Sequence, residues 1–473
     1  MHRLPWLLWP TLTATLCWCS ALTAASPTVG ELVLMIQRYH PEYLAQQTRT
    51  EQIGSERDQA DAAFDLRLVQ DTYARTSGYY DGTYLEQQIV QPLPSMNAQV
   101  FGRYRLADGD FPIYEAEYQT LDKGEASLGV KLSLLQNRET DKRRLAQVSA
   151  AWRLMEAESK QLAKLNRLIY EGVSAYLDWY QSHQKLAVVN DLLALTQARL
   201  GGIKARVSSG DLAQINLTEF ETTLVRRQLL EQEALQHFRL AQQRLSYFWR
   251  TADTVGYQGN SISTPPGDIG WPFSVNTTRQ TNSEAFSEAI NGHPAVEALA
   301  AKIEQARNKR QLAENETLPQ LDLEFKVARD LGDGIEALTG NESVLGLSFF
   351  MPVGQRAAKA RQASANAEIR ALEYDQQVLK EQLRRDVDLS LNALDYARDI
   401  LALSQQQESL AETLLTQERA RFEEGVSDQF LLITRETTAL QARLKTIDAE
   451  IEVRRHELAL HATLARLHND TPA

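Results

Sequence analysis

Beyond its first 25 residues the chain contains no cysteine, because its only two, Cys17 and Cys19, fall inside that opening stretch. Disulfide staples and thiolate metal sites are thereby excluded, and the folded protein must be held by packing alone. Long hydrophobic runs are missing too: no later stretch reaches the roughly 18 apolar residues of a spanning helix. Barrel strands, which need only about 9–11 residues of alternating character, escape that test. Positive charge is in deficit, with a formal net charge of −12, so nothing resembles a nucleic-acid footprint. Catalytic signatures are also absent. The eight histidines include no His-Glu-x-x-His helix, and there is no Gly-x-Ser-x-Gly elbow. His456 and His461 stand five apart, do not share a helix face, and read as solvated surface. Gly332-Asp333-Gly334 lacks the third glycine and the following helix of a nucleotide loop, and reads as a turn. No enzyme activity, cofactor or metal is expected.

The opening stretch reads as a secretory signal over residues 1–25. Arg3 gives a basic start, Leu4 to Trp18 an apolar core, and Thr23-Ala24-Ala25 the small residues of a cleavage site. Leu16 and Trp18 precede the two cysteines, where a lipid-attachment cysteine favours small residues.

A shift of 215 positions lays the second half of the chain on the first without a gap. Ser133 meets Ser348, Gln147 meets Gln362 and Glu158 meets Glu373; Ala205-Arg206 meets Ala420-Arg421, Gly210 meets Gly425, and Glu221-Thr222-Thr223 meets Glu436-Thr437-Thr438. Upstream, His40-Pro41 answers His293-Pro294, with about forty extra residues in the first half before the register resumes. Two repeats are expected, over residues 26–250 and 283–468, joined by an irregular Gly/Pro/Ser/Thr-rich linker over 251–282 and followed by a tail at 469–473. Each repeat opens on a helix (Ser26 to Ala60; Ser283 to Glu316), continues with strands, and ends in a long helical hairpin turning near Gly210 or Gly425. From Thr140 to Arg199, and from Ala357 to Phe422, there is no proline, and apolar residues recur every three to four positions. A helix of some sixty residues is about 90 Å long, and its apolar stripe calls for equally long neighbours.

The strand segments alternate strictly. Leu321, Leu323, Phe325 and Val327 stand against Asp322, Glu324 and Lys326, and Leu345, Leu347, Phe349 and Met351 against Val344, Gly346 and Ser348. Leu128, Val130, Leu132 and Leu134 do the same, and Phe64, Leu66 and Leu68 open a shorter run. Period two suits a wall with lipid on one side and water on the other, and equally a half-buried soluble sheet. Four principal strands per chain cannot close a barrel, so several copies must contribute. The region from Thr72 to Glu125 is expected to form an external loop or extra strand material.

With these features in view, the chain resembles the TolC family of outer-membrane efflux proteins. The motifs are His293-Pro294-Ala295-Val296 leading to Leu318-Pro319-Gln320-Leu321-Asp322-Leu323, the strand Leu347-Ser348-Phe349-Phe350-Met351-Pro352-Val353-Gly354, and the tip Arg421-Phe422-Glu423-Glu424-Gly425, echoed by Arg206-Val207-Ser208-Ser209-Gly210. The resemblance implies a mainly α-helical fold with a membrane β-barrel portion. Four strands per chain would complete a twelve-stranded barrel in a homotrimer, above a coiled-coil helical tunnel. It implies an exit duct in the Gram-negative outer membrane, working with a periplasmic adaptor and an inner-membrane transporter of an efflux or type I secretion system. The adaptor would meet the tips at Arg206, Gly210, Asp211, Arg421, Gly425 and Val426. The gate region would hold Asn216, Glu219, Asp428, Leu431 and Thr434, where Leu431 and Thr434 replace the aspartates of the best-known members. An exported coiled-coil scaffold or adaptor without a barrel is the alternative.

Overall fold

A computed structural model describes residues 28–94, 97–250, 262, 264–275 and 283–468. The expected signal segment, most of the linker and the tail lie outside the described residues. Those described form two compact units. One holds Ala175–Trp271 with the start of the chain to Leu32; the other holds Val33–Ser174 and the chain from Pro272 onward.

The helices are α1 (Val29–Tyr39), α2 (Pro41–Asp61), α3 (Lys142–Ser208), α4 (Gln214–Phe248), α5 (Ser283–Asn291), α6 (Pro294–Asn315), α7 (Arg356–Glu423) and α8 (Gln429–Thr463). Each opening helix of the sequence reading is in fact two. His40 and His293 precede prolines, and both take extended backbone angles because the proline ring disfavours helical geometry in the residue before it. The proline then sits at the start of the new helix, where its missing N–H is not needed.

In the larger unit, α2 and the first part of α3 run antiparallel. Gln161 donates to the Tyr43 hydroxyl, Lys164 pairs with Glu42, and Gln147 donates to Asp61 at 2.9 Å. Glu156 on α3 binds Lys160 at 2.6 Å and accepts from Gln305 of α6 at 3.2 Å, with Lys302 3.7 Å away. Burial pushes this carboxyl up, but Lys160, Gln305 and Lys302 outweigh it and hold it below the usual carboxylate range. Helix α7 spans 68 residues, about 100 Å at 1.5 Å per residue, and pairs with α8 through Ala411, Leu415, Leu432, Ala439 and Ala442. Three alanines in that seam let the backbones approach closely. In the smaller unit, Tyr176 meets Trp179 edge-on at 5.4 Å, and Arg227 of α4 donates to Thr196 of α3.

All strands belong to the larger unit and form one antiparallel meander in chain order. They are β1 (Arg67–Ala74), β2 (Thr83–Leu93), β3 (Ala98–Asp108), β4 (Glu125–Ser133), β5 (Gln320–Asp330) and β6 (Asn341–Phe350). Among the described residues the expected four strands are therefore six. The stretch after Thr72 contributes β2 and β3, which pair with each other from Thr83↔Asp108 to Leu93↔Ala98 and insert between β1 and β4. Helices give way to strands at Asn315, which is buried: its carbonyl accepts from the Asn137 backbone at 3.0 Å, and its amide donates to the Thr140 carbonyl at 2.9 Å.

One cap ties stability to pH. His293 Nδ1 accepts from the Ala295 backbone N–H at 3.1 Å at the start of α6, and burial holds the ring below the ordinary histidine value of 6.5. Protonation would turn this acceptor into a donor. The folded-state value lies below the unfolded one, so the contribution is complete above pH 6.5 and is lost as pH falls through the folded value. Hydrogen exchange in the first turn of α6, corrected for intrinsic rates, is expected to rise as pH falls below 6.5, by about 1 kcal/mol of local stability. His293→Asn, which caps without titrating, is expected to flatten that dependence.

Candidate functional site

Two features of the fold offer function: a sheet with chemically opposite faces, and the ends of the long helical hairpins. On one sheet face, Leu68, Leu85, Ile89, Leu106, Leu128, Phe325, Val327, Leu345, Leu347 and Phe349 are all exposed. A contiguous exposed apolar face of this kind marks a surface that meets a partner or lipid.

The other face carries most of the strand charges, and several of them are paired. Glu86 holds Arg105 at 2.6 Å and Arg103 at 3.1 Å. Lys326 lies 3.5 Å from Glu125 and 4.0 Å from Glu342. Asp322 accepts from Ser133 Oγ and from Gln320 Nε2, each at 2.8 Å, with Lys131 at 3.8 Å. A methyl at Gly129 would collide with the Phe101 ring, so glycine there lets an aromatic lie flat against this face. The segment between β3 and β4 folds over the same side. Tyr118 stacks on Tyr84 at 4.8 Å, and Tyr84 stacks in turn on Tyr73 at 5.5 Å. Arg105 donates to the Glu117 carbonyl at 2.7 Å while its guanidinium stands 5.2 Å from the Tyr118 ring.

At the hairpin ends, the α7–α8 turn closes with three backbone bonds: Glu424 N–H to the Ala420 carbonyl, Gly425 to Phe422, and Val426 to Arg421. The α3–α4 turn makes the same three, Ser209 to Ala205, Gly210 to Val207 and Asp211 to Arg206. Gly210 and Gly425 take φ of +82° and +75°, the left-handed geometry that ends a helix without a Cβ penalty. The remaining expected tip residues, Arg206, Asp211, Arg421 and Val426, are exposed. Of the expected gate residues, Asp428 is the N-cap of α8 and accepts from the Leu431 N–H at 2.7 Å, Leu431 is half-buried, and Thr434 donates to the Phe430 carbonyl. Asn216 is half-buried and Glu219 exposed. Glu418, nearly fully buried, accepts from Ser427 and lies 3.7 Å from Arg421.

The sequence reading missed Ile215 and Phe430. Both are bulky and strongly exposed in the first turn beyond a tip, and they stand 215 positions apart, which was the signal available. It also placed His456 and His461 on solvated surface. Both are half-buried, and the His461 ring lies 5.7 Å from Phe273. Helix α7 keeps a second, uncovered stripe at Tyr396, Ile400, Leu403, Leu410 and Leu414. No group of potential metal ligands occurs among the described residues.

The family described as outer membrane efflux protein matches residues 285–466. Outer membrane efflux protein BepC of Brucella suis biovar 1 (strain 1330) is 21% identical over 309 residues, a match covering 64% of this chain and 63% of BepC. Among solved structures, the outer-membrane channel OprN aligns with a TM-score of 0.63 at 15% identity, over 94% of this chain and 91% of OprN. The open-state MtrE outer membrane channel of Neisseria gonorrhoeae aligns at 0.63 and 13% identity, over 95% and 91%. The Campylobacter jejuni CmeC outer membrane channel aligns at 0.62 and 12% identity, over 98% and 94%. At these identities the likeness speaks for the fold. The three solved structures are outer-membrane channels.

A Cβ built on Gly425 meets nothing within 4 Å, so any penalty for a side chain there is conformational. Gly425→Val is expected to destabilise the α7–α8 tip by about 1–2 kcal/mol. Faster hydrogen exchange of the Glu424 to Val426 amides, with the sheet unchanged, would register it.

Proposed function

We propose that this chain, whose residues 285–466 match the outer membrane efflux protein family, is the outer-membrane exit duct of a tripartite efflux or type I secretion system. The observation that carries this reading is the two-faced sheet. An exposed apolar face opposite a face of paired charges is what a barrel wall needs, with lipid outside and water inside. The uncovered stripe on α7 supports a homotrimer in which neighbouring copies supply the missing helix partner. The equal closure of the two turns supports an internal two-fold repeat. The duct works passively: it has no energy source of its own, and its width and lining charge set what passes. An inner-membrane transporter and a periplasmic adaptor deliver the substrate.

In this reading the adaptor docks on the helix tips, at Arg206, Gly210 and Asp211 of one hairpin and Arg421, Gly425 and Val426 of the other. Ile215 and Phe430 add apolar area beside them. Asn216, Glu219, Asp428, Leu431 and Thr434 lie just beyond and form the entrance constriction. Asp428 serves its own helix cap, so of the carboxylates in that set Glu219 is the one left to act on passing ions.

The mature protein is expected in the outer membrane as an integral trimer by fractionation and native mass analysis. A soluble periplasmic monomer would instead favour the scaffold reading. Phe430→Asp, at an exposed site, is expected to preserve that trimer while reducing adaptor capture at least tenfold. Undiminished capture would move the docking surface away from the tips.

A further inference from the structure

We propose that the β2–β3 hairpin is barrel wall, so that β1 of one copy pairs with β6 of the next and three copies close an eighteen-stranded barrel. The inference rests on the trimeric duct reading and fixes what the wall is made of: three copies of a six-stranded sheet bring eighteen strands, not twelve.

The inserted strands continue the wall on both faces. One lateral row runs Leu68, Ile89, Gly102, Leu128, Val327 across five strands, every neighbour in register. A second runs Leu93, Ala98, Leu132, Leu323, Leu347 from β2 to β6. A hairpin lying outside the bilayer has no need to extend apolar rows begun on β4 to β6. The polar amides that do point outward find partners: Gln87 Nε2 donates to Gln70 Oε1 at 2.9 Å, and Gln91 Nε2 donates to the Phe64 carbonyl at 2.9 Å. On the opposite face, the Glu86–Arg103–Arg105 cluster lies on the same side as Glu125, Lys131 and Asp322.

The edges point to a second copy of this chain as the occupant. Every residue of β1 is exposed, as is every residue of β6 except the half-buried Gly346. Outward positions on both strands carry no charge and neither strand contains proline, the devices by which soluble proteins protect an open edge. In lipid such an edge must be paired. An insertion of two strands also keeps the count per copy even, so β6 meets the neighbouring β1 antiparallel, as the rest of the sheet requires. A single added strand would have forced a parallel junction. Barrel diameter grows roughly linearly with strand number, so the wall is about one and a half times as wide as a twelve-stranded one.

The test uses single cysteines in the full-length protein, which has no other cysteine past residue 25. Ile89→Cys, Val90→Cys and Leu128→Cys would carry nitroxide spin labels in phosphatidylcholine vesicles, read by accessibility to oxygen and to a water-soluble nickel chelate. Ile89 is expected to match Leu128, with an oxygen-to-nickel ratio several-fold above that of Val90. A lipid-facing Leu128 beside a water-exposed Ile89 would place the hairpin outside the bilayer and overturn the inference alone. A water-exposed Leu128 would overturn the duct reading together with it. Electron cryomicroscopy of the unaltered protein decides independently of any variant: eighteen wall strands support the proposal and twelve reject it.

Discussion

The outer N–H and C=O groups of β1 and β6 have no partner within the sheet, and the side chains beside them are exposed. Each such group left unbonded in hydrocarbon costs several kcal/mol, so nothing short of a neighbouring strand relieves the debt. One chain cannot supply it, because a six-stranded sheet is too narrow to close on itself. The same shortage recurs far from the sheet. Helix α7 buries one stripe against α8 and α6 and leaves another, from Tyr396 to Leu414, without cover. Strand edges and helix stripes thus make the same demand through different forces, hydrogen bonding in one case and apolar burial in the other.

Between sheet and helices, the chain changes backbone geometry without losing polar partners. Asn315 does this at the end of α6 by presenting both an acceptor and donors to the turn after β4. Gln355 donates to the Thr317 carbonyl at 2.8 Å, and Arg361 reaches Glu316 at 3.2 Å, tying the start of α7 to the end of α6. The helices are also tied by ion pairs that join different elements, among them the one from Lys302 of α6 to Glu156 of α3. Pairing at Glu156 outweighs the penalty of burial, as expected where two lysines and an amide converge on one carboxylate.

Much of this was legible in the sequence. The long helices announced themselves by proline-free, three-to-four periodicity, and β4, β5 and β6 by strict alternation. The resemblance to outer-membrane efflux proteins followed from the His-Pro, strand and tip motifs taken together. Other features were hidden for physical reasons. The breaks at His40 and His293 were overlooked because the apolar pattern runs through them, although the proline was in plain sight. The stretch holding β2 and β3 was legible only as external loop or extra strand material, because their outward faces mix Gln87, Gln91 and Tyr104 with leucine and isoleucine, which blurs the period-two signal. That Asp428 is occupied as a helix cap depends on its backbone geometry, which no spacing rule reveals.

The open edges also set a clock. A newly exported copy carries an adhesive strand on each side of its sheet until it meets others, and that encounter is of higher order in chain concentration. Correct zipping competes with every wrong edge-to-edge encounter over the same interval. The yield of finished ducts is then governed by rates of meeting and by whatever shields β1 and β6 in transit, more than by how stable the completed wall is.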